Sequence, residues 1–209
     1  MTTARNQAAP AVPVSSADPV GDVVAPLRGT VVEIGAGRGA NVAVLHPSVR
    51  WIAVEPNLDR RRALRAAAER RGGGSRVIVG RAESLPLLDG CADAVLSTRV
   101  LCSVDDPEAA LAEVIRVLRP GGVFAFVEHV GAPRRSVLRV AQQVVAPWSR
   151  LFDGCDPRRD IEAAIARAGF ATVELRHHEQ GRGLDPWRPH IAGHARRRTA
   201  EPSDHEVAR

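Results

Sequence analysis

The chain has 209 residues, 44% hydrophobic and 25% charged, which suits one domain with a sizeable core. It contains no tyrosine and no lysine, so all 29 basic residues are arginine; this excludes a P-loop lysine on a nucleotide, a lysine Schiff base and a tyrosine general acid. The net charge of +5 invites nucleic acid, but the arginines are scattered among 24 acids, and the aromatics that would stack on bases are only 3%, so no nucleic-acid partner is expected.

Residues 1–26 are rich in Ala, Pro, Ser and Val. Pro10, Pro13, Pro19 and Pro26 predict a flexible leader with at most one short helical turn after Ser16. Thr30 to Ile34 is an apolar run entering Gly35-Ala36-Gly37-Arg38-Gly39, and Ala40 to Leu45 suits a helix. Arg50 to Val54 is a second run, ending in Glu55-Pro56-Asn57. Leu58 to Arg71 reads as a helix stopped by three glycines. Arg76 to Val79 and Ala94 to Ser97 are the third and fourth runs. A helix starts at Asp106-Pro107-Glu108 and reaches about Leu118. Arg119-Pro120-Gly121-Gly122 ends it, and Val123 to Val127 is a fifth strand. Val137 to Phe152 is helical and broken at Pro147; Pro157 to Ala168 is another helix. Ala171 to His178 and His190 to Arg196 close the fold as a pair of strands. Strands alternating with helices predict an α/β fold with a parallel sheet covered on both faces. The expected organisation is a leader over 1–26, a domain over 27–197 and a polar tail over 198–209.

The glycine loop between a strand and a helix places backbone N–H groups beside a nucleotide-like ligand. Gly35-x-Gly37-x-Gly39 fits a methyltransferase pattern and, with Ala40, also the dinucleotide fingerprint. Glu55 at the second strand's end suits a ribose of either cofactor. Three features separate the two. Glu33, inside the first strand, needs a cationic or amide partner if buried; S-adenosylmethionine offers an ammonium and a sulfonium group, a dinucleotide only phosphates nearby. Ala82-Glu83 follows the third strand, where an acid accepts from an adenine amino group. The chain also lacks the Tyr-x-x-x-Lys pair of small dehydrogenases.

Cys91, Cys102 and Cys155 lie far apart and form no CxxC pair, which predicts a reducing, cytoplasmic location. No segment reads as a membrane span or a signal peptide. His177 and His178 point to opposite sides of a strand, and His190 and His194 sit roughly 13 Å apart at strand rise, so no metal site is expected.

Glu33 to Gly39, Glu55-Pro56-Asn57, Ala82-Glu83 and Arg116 to Gly122 together resemble a class I S-adenosylmethionine-dependent methyltransferase. A narrower resemblance runs from about Val31 to Ala195. Val100 to Val104, Glu128-His129-Val130, Gln142-Gln143-Val144, Pro147-Trp148, Leu151 to Cys155 and Arg188 to Ile191 are similar to the methyltransferase-like thiol S-methyltransferases of animals. The resemblance implies a Rossmann-like, seven-stranded, mostly parallel sheet with an antiparallel last strand and helices on both faces. S-adenosylmethionine would be the cofactor: the backbone of Gly35, Gly37 and Gly39 along its methionine part, Glu33 toward its ammonium, Glu55 on the ribose, Glu83 and the Ala82 N–H on adenine. Arg99 to Ser103, including Val100 and Cys102, would border the methyl group. Animal members carry a hydrophobic N-terminal anchor and further helices before the first strand. Here about 29 Pro-rich residues precede it, so no membrane anchor is expected, and something else would close the pocket.

Methyl transfer from a sulfonium asks the protein mainly for alignment and a dry pocket. A thiol with a pKa near 8.5 needs only modest help to ionise. His129 is the candidate base, with Asp153 a second candidate catalytic residue. Cys102, Trp148, Phe152, Cys155, Arg188 and His190 are candidates for the acceptor pocket, with Trp148, Phe152 and Trp187 as its apolar wall. The expected partner is a small, apolar acceptor, first a thiol; an O-, N- or C-methyltransferase, or a non-catalytic cofactor-binding module with an incomplete lid, are the alternatives. A homo-oligomer is left open.

Overall fold

The computed structural model describes residues 18–199, apart from 153 and 184. Seven strands form one sheet: β1 (Thr30–Ile34), β2 (Arg50–Val54), β3 (Arg76–Ile78), β4 (Ala92–Thr98), β5 (Leu118–His129), β6 (Thr172–Glu179) and β7 (Pro189–Arg196). Their order across the sheet is β3-β2-β1-β4-β5-β7-β6. Only β7 runs against its neighbours; it pairs antiparallel with both β5 and β6.

Side chains alternate between the sheet's faces, and each face has its own core. Val32, Ile34, Ile52, Val54, Phe124 and Phe126 pack with α3 (Pro107–Val117) and α5 (Ile161–Arg167). Val31, Trp51, Ala53, Leu96 and Val127 pack on the opposite face with α2 (Leu58–Arg71) and α1 (Pro19–Val24). Strands buried on both faces read as continuous apolar runs, which is how the sequence exposed them. Asn57, Asp106 and Asp160 cap α2, α3 and α5 through side-chain oxygens.

Several boundaries differ from the sequence expectation. Residues 18–26 belong to the folded unit rather than to a leader, because Val23 and Val24 of α1 are buried in the core. The helix expected at Ala40–Leu45 is a single 3-10 turn, Ala40–Ala43, entered through Gly39 at φ +84°. α4 (Val137–Phe152) runs through Pro147 without a break. α5 starts at Ile161, four residues later than expected, where Asp160 can cap it. The rest of the expected leader, residues 1–17, and the end of the tail, 200–209, lie outside the described residues.

Candidate functional site

The glycine loop leaves β1 at the carboxyl end of the parallel strands. Gly35, Gly37 and Gly39 all have positive φ, at +56°, +58° and +84°. A Cβ on Gly35 would lie 2.6 Å from Val100 Cγ2, whereas one on Gly37 would meet only the Gly35 carbonyl at 4.0 Å. The loop is thus packed shut on its Gly35 side and bare at Gly37, a surface that a ligand can approach closely. Glu55 ends the next strand over. Its buried carboxylate accepts from Gly37 N (2.8 Å) and from Asn57 N (2.9 Å).

Glu33 is buried beneath this loop. Asn41 Nδ2 donates to one carboxylate oxygen at 2.8 Å and Trp51 Nε1 to the other at 2.7 Å. Burial lifts its pKa to about 7 despite both hydrogen bonds. These partners are the amide-type company that the sequence demanded of it. Only its second lone pairs remain for a ligand. Ala82 is buried, and Glu83 accepts from Asp105 N at 2.8 Å and pairs with Arg81.

The segment after β4 is fixed by a residue that the sequence reading did not assign to the site. Glu128, at the end of β5, is fully buried. It accepts from Ser97 Oγ, from Val100 N and from Leu101 N, and burial raises its pKa to about 7. This anchor holds Arg99 at φ +57°, the left-handed region that a non-glycine residue enters only under constraint. An acid closing a buried strand was the available signal.

Beside that segment lies a cavity of about 590 Å³. Arg99, Cys102 and Ser103 form one side, His129 and Cys155 the next, and Trp187 and His190 another, with Gln180, Gly181 and Asp185 at the rim-forming loop. Cys102, Cys155 and His190, three of the candidates for the acceptor pocket, line this cavity. Desolvation pushes the His190 pKa down to about 4, so its ring is neutral at neutral pH. His190 contacts His129 edge-on at 5.4 Å and stacks on His178 at 5.2 Å between ring centroids.

His129 Nε2 lies 3.0 Å from the Pro186 carbonyl, which also accepts from Gln142 Nε2 at 2.9 Å. A carbonyl can only accept, so Nε2 carries a proton, and in the neutral ring it is Nδ1 that presents the lone pair. Nδ1 sits 3.8 Å from Cys155 Sγ, which in turn lies 3.3 Å from Cys102 Sγ. The contact with Cys102 holds Cys155 below the usual thiol range, and the same contact, with burial, pushes Cys102 well above it. The two cysteines that the sequence separates by 53 positions are thus neighbours.

Two pocket expectations are corrected. Trp148 is 64% exposed on the outer face of α4, with Val137, Val140, Val144 and Leu151. The 3.6-residue period places it there: Gln142, Ala146 and Ser149 take the buried face instead. Arg188 pairs with Glu179 and donates to the Gly183 carbonyl, so it braces the β6–β7 loop and does not line the cavity. Trp187, its neighbour, supplies the aromatic wall. Phe152 ends α4, but its side chain, like Asp153 altogether, lies outside the described residues.

The methyltransferase domain model matches residues 32–126, from β1 through most of β5. Thiol S-methyltransferase TMT1A of Homo sapiens is 39% identical over 170 residues, which cover 79% of this chain and 70% of the human protein. Thiol S-methyltransferase TMT1B of Rattus norvegicus is 38% identical over the same shares of the two chains. Among solved structures, a SAM-dependent methyltransferase from Thermotoga maritima, described as a possible histamine N-methyltransferase, superposes with a TM-score of 0.63. It is 24% identical and covers 86% of this chain and 88% of its own, a likeness of fold. The glycine cradle, the acid at the end of β2 and the buried acid in β1 fit S-adenosylmethionine, and the chain belongs to the thiol S-methyltransferase family of S-adenosylmethionine-dependent methyltransferases.

Proposed function

We propose that the protein methylates the sulfur of a small, largely apolar thiol. The observation that carries this reading is the cavity against the Arg99–Ser103 segment, walled by Trp187, two thiols and an imidazole lone pair. S-adenosylmethionine supplies the electrophilic methyl group. Gly35, Gly37 and Gly39 hold its amino-acid part by backbone, with Glu33 contributing negative charge from below. Glu55 exchanges its bond to Gly37 N for the ribose hydroxyls, and Glu83 with the Ala82 N–H takes the adenine. Arg99 to Cys102, pinned by Glu128, separates cofactor from acceptor and sets the line of attack. Trp187 and the buried sulfurs favour an apolar acceptor body. The Nδ1 lone pair of His129 serves the ionisation of the acceptor's thiol.

The relatives' identity supports sulfur as the acceptor atom, and the three cysteines, all free thiols, support a reducing compartment such as the cytoplasm. Among the described residues no helix is long and apolar enough to cross a membrane. Mass spectrometry of alkyl thiols, phenols and amines incubated with labelled S-adenosylmethionine tests the proposal. Labelled thioethers, with thiols turned over at least tenfold better than the others, are expected. Label on oxygen or nitrogen products alone would refute it.

A further inference from the structure

Cys102, His129 and Cys155 come from three separate segments: the loop after β4, the end of β5 and the loop after α4. All three are buried, and one ligand atom from each lies within 4.8 Å of the others. No ion is present. Thiolate and imidazole donors select zinc among the common biological cations. A tetrahedral zinc with bonds near 2.3 Å to sulfur would set its two sulfurs roughly 3.8 Å apart. The observed sulfurs are 3.3 Å apart, Cys155 Sγ is 3.8 Å from His129 Nδ1, and one ligand atom from each of the three lies within 4.8 Å of the others, so seating an ion asks the thiol pair to open slightly and the imidazole to close in.

A second observation points the same way. His129 Nε2 is tied to the Pro186 carbonyl, and Gln142 Nε2 holds that carbonyl in place. This is the outer-shell arrangement that fixes a ligating histidine's tautomer and aim. It leaves Nδ1 with its lone pair directed toward the sulfurs. All three ligands also line the cavity. Three protein ligands with the fourth position facing a pocket is the pattern of a reactive zinc site rather than a closed structural one.

We infer that Cys102, Cys155 and His129 bind one zinc ion whose fourth position, facing the cavity, takes the acceptor's sulfur. The inference rests on the thiol-methylation reading. On binding, the acceptor's S–H bond breaks, its proton leaves to water and its sulfur bonds to the ion. A sulfur lone pair then forms the new S–CH₃ bond while the methyl–sulfonium bond breaks. That bond's electrons stay on the departing sulfide, and no redox partner is needed. The neutral thioether product is a poor zinc ligand and leaves. In this arrangement the imidazole lone pair assists ionisation through the ion.

Cobalt(II) titration of the full chain, purified under reducing and metal-free conditions, tests the site without activity. One equivalent should give the visible bands of tetrahedral cobalt and a thiolate-to-cobalt charge-transfer band. Both should vanish in Cys102→Ser and in Cys155→Ser and persist in Cys91→Ser, with circular dichroism confirming that each variant folds. Gln142→Leu, which leaves all three ligands, should weaken binding by about 10- to 100-fold. Adding an alkyl thiol to the cobalt form should shift the bands. Absence of the bands, or their persistence in both cysteine variants, overturns the site. Bands that ignore the thiol overturn the acceptor role. Thiol turnover that survives with no metal bound would overturn the ion's role in transfer and leave thiol methylation standing; a bound metal with no thioether from any thiol would do the reverse.

Discussion

Val100 occupies the space that a side chain on Gly35 would need: a Cβ there would lie 2.6 Å from one Val100 methyl and 2.9 Å from the other. The glycine loop and the segment bordering the acceptor cavity are therefore packed as one unit. Gly35→Ala must both clash with Val100 and hold an alanine at φ +56°. We expect a loss of roughly 1–3 kcal/mol in stability, with weakened cofactor binding. Val100→Ala added to Gly35→Ala should recover only the steric part. A double-mutant cycle by thermal denaturation reads the coupling; strict additivity would show that the two residues do not press on each other.

Glu33 ties stability to pH. Its carboxyl has a folded-state pKa of about 7, raised by burial, against an ordinary value of 4.5. The folded state thus holds more protons than the unfolded state between those values, so this contribution is full below about pH 4.5 and is lost as pH rises through about 7. The difference in unfolding free energy between the parent and Glu33→Gln should change with that slope over the window and flatten above it. A pH-independent difference would remove the assignment.

Glu55 holds Gly37 N now and is expected to hold ribose hydroxyls in the complex. Hydrogen bonds to a charged partner contribute about 1.5–3 kcal/mol each. Glu55→Ala should therefore weaken S-adenosylmethionine binding at least about tenfold, with Glu55→Gln in between. Isothermal titration calorimetry measures this directly, and parent-like affinity in the alanine variant would contradict the ribose role.

The two tryptophans outside the sheet should behave oppositely. Trp187 walls the cavity, so Trp187→Ala should raise KM for long-chain thiols several-fold while sparing short ones. Trp148 is on the surface, so Trp148→Ser should leave kcat/KM within about twofold and stability within about 0.5 kcal/mol. Steady-state kinetics across a chain-length series decides both; equal effects from the two variants would mean that the cavity is misplaced.

The sheet was legible because strands buried on both faces leave unbroken apolar runs, and the glycine loop because positive φ recruits glycine. Glu55 was legible as an acid at a fixed place after a strand. The acceptor cavity was less so. Cys102 and Cys155 are 53 positions apart, and only the return of α4 to the end of β5 makes them neighbours. Glu128 and Gln142 act by anchoring backbone, a role with no spacing rule. Trp148 misled because an aromatic residue beside a motif looks like a pocket wall until its helical phase is known. Pro147 misled in the same helix, because a kink penalty can be met by the surrounding packing.

β7 is the last of the described strands in sequence yet lies between β5 and β6. A ribosome delivers the glycine loop, Glu33 and Glu55 first, and that half of the sheet can pair as it emerges. β6 has no partner until Pro189–Arg196 follows it, and β5 keeps an open edge until then. His190, on the cavity wall, arrives with that final stretch, and Trp187 only just before it. A nascent chain therefore owns its nucleotide shelf well before it owns a chamber for the acceptor, and truncation just before Pro189 would yield the first without the second.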